Sequence, residues 1–186
     1  MNLHHELQKI TGRQGIFSDA LTTQLKKYKK GEIITREGDV ESRIYLILAG
    51  GVKVSYNDDG KNYIVDFWFK GDIFSAFASF IQQTPSKTEI EALEDSELEF
   101  ITQYQLQGLY KESLHANKIG RIMAEKMYCH KFEKEIALLS QNAAQRYKTL
   151  LQRSPEIVAR IPVKDIASYL GIHPDSLSRI RKNVIS

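Results

Sequence analysis

Between His173 and Lys182 the sequence sets Asp175, Ser176, Ser178, Arg179, Arg181 and Lys182 around two apolar residues, Leu177 and Ile180. Leu177 and Ile180 are three apart and form the inward side of a short helix; the polar residues are left for its other faces. This chemistry suits the surface of a nucleic-acid duplex. An Arg fork takes guanine O6 and N7 together, an Asp accepts from a cytosine amine, and Lys or His meets phosphate. Arg179 is the best-placed base reader, with Asp175, Ser176 and Ser178 on the same N-terminal, inner side. His173, Arg181 and Lys182 are better placed for phosphate. The plain alternative, a buried αα-corner, would not expose so short, donor-rich and basic a set.

Other groupings offer less. The five His are His4, His5, His115, His130 and His173; none falls between 31 and 101, where a metal site inside a β-barrel would need them. His4 and His5 read as a solvated terminus. Glu89, Glu91, Glu94, Asp95, Glu97 and Glu99 alternate with Ile90, Ala92, Leu93, Leu98 and Phe100. They read as the outer face of an edge strand. There is no GxxxxGK[ST] and no GxGxxG. The single cysteine, Cys129, excludes an internal disulfide and a Cys-ligated cluster. No catalytic group, metal or cofactor is expected.

The elements that must position the polar set are legible from spacing. Val163, Ile166, Ala167 and Leu170 make one apolar helix face. Gly171 can take φ > 0 and stop that helix, and Pro174 suits the first turn of the next. Two such helices joined by a Gly-containing turn make a helix-turn-helix, whose second helix enters the major groove. Upstream, Ala143, Tyr147, Leu150 and Leu151 mark a helix to Arg153, ended by Ser154-Pro155, and Ser140-Gln141-Asn142 reads as a hinge or helix start. Charge follows the same division. Residues 140–186 hold eight Lys/Arg and three Asp/Glu, whereas residues 1–139 hold eighteen and twenty. The basic surplus sits with the helix-turn-helix, as a phosphate-binding face requires.

From Gly31 to about Ile101 the period is two, with turns at Glu37-Gly38-Asp39, Gly50-Gly51, Asp58-Asp59-Gly60 and Lys70-Gly71-Asp72. Asp59-Gly60 is a hairpin signal. About eight short strands of this kind imply a β-sandwich or jelly roll. Before them, Ser18 could cap a helix carrying Leu21 and Leu25, with Lys26, Lys27, Lys29 and Lys30 as its solvated end. After them, Leu114 to Leu139 reads as one long helix with two apolar stripes. Ile122, Cys129 and Ile136 recur every seven residues, with Phe132 and Leu139 three further on, although Glu125 breaks the seam. That pattern predicts pairing of two chains along Ile122, Cys129, Phe132, Ile136 and Leu139. Ile119, Met123 and Met127 form the second stripe, suited to packing on the β-domain. No apolar run is long enough to span a bilayer, and Met1 to Arg13 lacks the apolar core of a secretory signal, so a cytoplasmic protein is expected.

These features together resemble the Crp/Fnr family of bacterial transcription regulators along nearly the whole length. The glycine frame is similar: Gly31 in GEIITREGD, Gly50 in YLILAGGVKV, Gly71 in GDIF. So is IPVKDIASYLGIHPDSLSRIRK, almost position for position. The resemblance implies an α+β fold with a cyclic-nucleotide-binding-like jelly-roll sensor (1–112), a dimerisation helix (113–139) and an all-α helix-turn-helix domain (140–186). It implies a homodimer on palindromic double-stranded DNA, with RNA polymerase as a further partner and no membrane. The effector cassette would be GDIFSAFASFIQQTPSKTEIEA, with pocket candidates Gly71, Ser75, Ala76, Ser86, Lys87 and Thr88. Cyclic-nucleotide binders of this family carry a Glu for the ribose and an Arg for the cyclic phosphate. Here those positions are Ala76 and Ser86, and adjacent Lys87 points to the opposite face of the strand. Cyclic AMP binding is therefore not expected. Pro174 stands where many relatives carry a base-reading Arg, so the half-site should differ. The sequence ends at Ser186 before the family's β-wing, so the expectation is that other residues supply its backbone contacts or that affinity is lower. A ligand-binding module whose helical tail binds protein, and a cupin-like enzyme, are the competing readings.

Overall fold

The computed structural model describes residues 22–153 and 155–185. Eight strands come first: β1 (Gln24–Tyr28), β2 (Ile33–Thr35), β3 (Arg43–Ala49), β4 (Gly51–Asp58), β5 (Lys61–Phe69), β6 (Ile73–Phe74), β7 (Glu89–Ala92) and β8 (Ser96–Thr102). Helix α1 (Phe77–Gln82) lies between β6 and β7. Then follow α2 (Gln103–Glu112), α3 (Leu114–Ser140), α4 (Ala143–Arg153), α5 (Pro155–Arg160), α6 (Val163–Tyr169) and α7 (Pro174–Ile185). The strands form two sheets, ordered β1-β8-β3-β6 and β2-β7-β4-β5. This is the expected α+β fold with a jelly-roll-type β-domain. By contacts the chain divides into two compact units. One holds the described residues up to Tyr56 together with Asp66–Lys126; the other holds Asn57–Val65 and the described residues from Met127 onward.

In the first unit, alternation puts one face of each strand inside. Tyr45 of β3 stacks on Phe74 of β6 at 5.0 Å between ring centroids and meets Phe100 of β8 at 5.7 Å. The opposite face of β3 supplies Ile44 and Leu46 to a cluster with Ile101, Phe80 of α1 and Ile119 of α3; Met123 packs against it. The second stripe of the long helix thus reaches the β-domain through Ile119 and Met123. Helix α2 begins at a reciprocal cap in which the Thr102 hydroxyl accepts from the Gln105 N–H and the Gln105 side chain accepts from the Thr102 N–H. Asp59 and Gly60 both have positive φ, 47° and 79°. That is the type I′ geometry that matches the twist of the two strands it joins.

Two local expectations fail. Leu25 and the lysines after it do not end a helix: Gln24–Tyr28 is a strand paired antiparallel with β8, Lys27 opposite Glu97. Tertiary pairing overrides a local helical spacing here. Ser18 and Leu21 lie outside the described residues, as do His4 and His5. The acidic stretch is not an edge. Strand β7 lies between β2 and β4, and β8 lies between β1 and β3. Glu89, Glu91, Glu97 and Glu99 stand on inner strands of the sheets, where Glu91 meets Lys53 at 3.0 Å and Glu99 is buried, while Glu94 and Asp95 lie in the turn between β7 and β8.

In the second unit, Ser140-Gln141-Asn142 is a helix start. The Asn142 side chain accepts from the Gln145 N–H at 3.0 Å, and the Gln145 side chain accepts from the Asn142 N–H at 2.9 Å. Helix α4 ends at Arg153 as read, but Pro155 then opens the short helix α5. Tyr147, Leu150, Ile161, Ile166, Ala167, Leu170 and Leu177 are the buried core. The hairpin residues assigned to this unit hold α6 through Ser168, whose Oγ accepts from the Ile64 N–H at 3.0 Å and donates to the Asn62 carbonyl at 3.2 Å. Lys134 of α3 donates to the Val65 carbonyl and lies 4.0 Å from the centroid of the Tyr169 ring.

Candidate nucleic-acid interface and effector cassette

Helix α6 ends as the sequence requires. Gly171 has φ 68°, and the Ile172 N–H reaches back to the Ala167 carbonyl at 3.0 Å. Leu177 of α7 is fully buried and Ile180 half-buried, which turns Asp175, Ser176, Ser178, Arg179 and Lys182 outward; Arg181 is half-buried. His173, just before α7, is exposed, and its Nδ1 stands 3.4 Å from Asp175 Oδ2. Asp175 thus faces His173. The Arg179 guanidinium forms no ion pair among the described residues and is exposed. Ser178 Oγ donates to the Pro174 carbonyl at 3.1 Å, which engages its hydrogen on the helix itself and leaves its lone pairs outward.

Arg146 was not singled out by sequence spacing, yet it fixes the turn. Its Nη2 donates to the Leu170 carbonyl at 2.8 Å and its Nη1 to the Gln141 carbonyl. A charged donor on two carbonyls is a strong, planar brace. Nothing in the periodicity of α4 distinguishes it from the other basic residues of that helix.

The proposed seam of α3 is solvent-facing in the single chain. Phe132 is 51%, Ile136 46% and Leu139 80% exposed; Cys129 is exposed and Ile122 half-buried. Tyr128, exposed beside them, stacks on Phe132 at 6.2 Å.

The cassette keeps its scaffold. Gly71 has φ 96°, and its N–H donates to the Ile47 carbonyl at 2.9 Å. Ala76 is buried, and its carbonyl accepts from the Phe80 N–H at 2.9 Å to start α1. Ser75 Oγ donates to the Arg43 carbonyl at 2.8 Å. Ser86 is buried; its hydroxyl donates to the Thr88 carbonyl at 2.7 Å and accepts from the Thr88 N–H at 3.1 Å. Lys87 is exposed and Thr88 half-buried. The hydroxyls of Ser75 and Ser86 are thus turned to the backbone, and positions 76 and 86 present no charge.

A buried polar knot beneath α1 was missed. Glu41 accepts from Thr35 Oγ1 and, at 2.9 Å, from the Arg43 N–H; its own N–H donates to Ser79 Oγ at 2.9 Å. Gln83 Nε2 closes the knot on the Glu41 carbonyl at 3.1 Å. Burial raises the Glu41 carboxyl above its ordinary value, against the hydrogen bonds from Thr35 and the backbone, which lower it. A lone Glu after a turn carries no sequence signal of this kind.

Residues 25–113 match the cyclic nucleotide-binding domain family. No curated protein matches the chain. Among solved structures, FixK2 from Bradyrhizobium japonicum is similar at TM-score 0.76 and 21% identity, over 88% of this chain and 85% of that one. A CooA mutant from Carboxydothermus hydrogenoformans is similar at TM-score 0.70 and 16% identity, over 98% and 84%. A putative Crp/Fnr-family transcriptional regulator from Eubacterium rectale is similar at TM-score 0.67 and 21% identity, over 98% and 83%. The chain has the Crp/Fnr fold. Within that fold Ala76 and Ser86 stand in the cyclic nucleotide-binding domain, and α7 is the second helix of the helix-turn-helix. No helix among the described residues is long and apolar enough to cross a membrane.

The Glu41 carboxyl gives a pH dependence of known sign. Its folded value is raised, so the unfolded chain releases this proton first. Stability from the protonated group is full below the ordinary value of 4.5 and is lost as pH rises from there through the raised folded value. Urea unfolding of wild type and Glu41→Gln across that window should show the wild type losing stability relative to the variant as pH rises. A constant difference would mean that Glu41 is not buried as described.

Proposed function

We propose that the chain is a homodimeric DNA-binding transcription regulator of Crp/Fnr type that reads an inverted-repeat operator and does not respond to cyclic AMP. The observation that carries this reading is the outward set Asp175, Ser176, Ser178 and Arg179 on α7, above a fully buried Leu177, within the Crp/Fnr fold. The functional division is a sensor at 1–112, a dimerisation helix at 113–139 and a DNA-binding domain at 140–186. The reading places the protein in the cytoplasm and gives it no catalytic role. RNA polymerase as a further partner rests on the family resemblance alone.

Pairing through α3 should bury Ile122, Cys129, Phe132, Ile136 and Leu139 about a two-fold axis. Ile136→Glu would bury a charge there at a cost of several kcal/mol, on the order of the penalty for an unpaired buried ion. Light scattering should then report monomer; a persisting dimer would place the interface elsewhere.

The cassette lacks the acid and the cation that a cyclic nucleotide needs at positions 76 and 86. Calorimetric titration with cyclic AMP and cyclic GMP should show weak binding or none. A low-micromolar dissociation constant would overturn this reading and make Lys87 the phosphate ligand.

On DNA, two α7 helices should meet major-groove faces about 34 Å apart, giving half-sites about one helical turn apart. Arg179→Ala should cost about 1–3 kcal/mol on the cognate duplex and relax one base pair. Lys182→Ala should weaken cognate and scrambled duplexes alike and reduce the salt slope by about 1. Titrations of both variants on both duplexes at two salt concentrations decide the matter. Equal weakening by Arg179→Ala on both would make Arg179 a backbone contact.

A further inference from the structure

The first unit contains a cavity of about 60 Å³ between α1, α2, α3 and the strands β3 and β8. Its walls include Ile44, Ile101, Phe77, Phe80, Ile119 and Met123. Among the lining side chains only that of Tyr110 carries an oxygen or nitrogen. The two smallest residues of this face of α3, Ala116 and Gly120, one turn apart, leave the space. A Cβ at Gly120 would stand 2.1 Å from the Tyr110 hydroxyl, so glycine is what lets that ring lie against α3. Ile81, also in the lining, is 56% exposed and marks the open side.

Close-packed interiors hold few voids larger than a water molecule, and an apolar void stays dry until an apolar guest enters it. No charged side chain lines this one, so a charged guest would be left unpaired. Its volume is less than half of the roughly 150 Å³ that receives benzene in an engineered cavity, so a slender guest fits better than a ring. The space opens beside Ile81, so the guest can be longer than the cavity. We propose that this cavity binds the end of an uncharged, unbranched hydrocarbon chain, the remainder of the molecule leaving past Ile81.

The site is separate from the cassette positions 76 and 86, although both use α1.

The test uses the whole chain labelled at the methionine methyls, titrated with 1-butanol, 1-hexanol, 1-octanol and 1-decanol, and with hexanoate as the charged control. The Met123 methyl resonance, assigned by its loss in Met123→Leu, should shift saturably with one preferred chain length. Hexanoate should bind about tenfold more weakly than 1-hexanol, a difference of about 1.4 kcal/mol. Ala116→Leu should fill the cavity and weaken the preferred alcohol by at least about tenfold. Ile73→Ala enlarges the cavity and should move the preference to a longer chain, which keeps the test decisive if Ala116→Leu does not fold. Non-saturable shifts, hexanoate binding as tightly as 1-hexanol, or no change in either folded variant would overturn the proposal. No DNA enters this readout, so it fails or succeeds independently of the regulatory reading.

Discussion

The packing of Ile119 against Ile44, Leu46, Phe80 and Ile101 is the contact that holds the long helix α3 to the first unit's β-domain. A helix of 27 residues would be marginal in water on propensity alone; an apolar face buried against a partner is what holds it. Here that face is narrow. Ala116 and Ile119 are its fully buried members, and Met123 extends it by one turn. The remaining apolar residues of α3 face another direction, so one helix carries one buried and one exposed apolar stripe. The same cluster includes Phe80 of α1, so the cassette helix and the long helix share one apolar core.

The segment from Gly71 to Thr88 combines a glycine turn, a short capped helix and uncharged residues at positions 76 and 86. Gly71 turns β5 into β6, Ala76 starts α1, and Gln83 closes that helix in the left-handed conformation with its N–H on the Ser79 carbonyl at 2.7 Å. What recognises a cyclic phosphate is a planar cation, and what recognises a ribose is a carboxylate. Neither stands at positions 76 or 86. The buried carboxylate that does exist, Glu41, lies beneath α1 and is engaged by Thr35 and the Arg43 backbone. It holds the loop before β3 to the helix.

Much of this was legible in the sequence, for identifiable reasons. The helix-turn-helix and the Asp59-Gly60 turn could be read because their information is local: a 3.6-residue period, a glycine at a left-handed position, a two-residue hairpin. The period-two runs and their turns pointed to a β-sandwich or jelly roll for the same reason. Strand β1 was misread because a Leu25-centred spacing with lysines is locally helical, and only its pairing with β8, seventy residues away in the chain, makes it a strand. The acidic stretch was assigned to an edge because alternating carboxylates usually face water, whereas Lys53 across β4 neutralises Glu91 inside the sheet. Glu41 and Arg146 were missed because their partners are backbone carbonyls, N–H groups and a single hydroxyl, which leave no residue-type pattern.

Arg146 matters most for what the second unit can do. Its guanidinium joins the Gln141 carbonyl, at the end of α3, to the Leu170 carbonyl, at the turn between α6 and α7. The terminal carbonyls of a helix lack partners within it, so a bidentate cation there satisfies groups that would otherwise need water. It also fixes a geometry. The end of α3 and the turn before α7 are tied to the same small rigid group, with Tyr147, the next residue, fully buried beside it. If two chains pair along the exposed stripe of α3, the separation of their reading helices follows from the position of this one side chain relative to the two-fold axis. A helix-turn-helix dimer must match its reading helices to one turn of DNA.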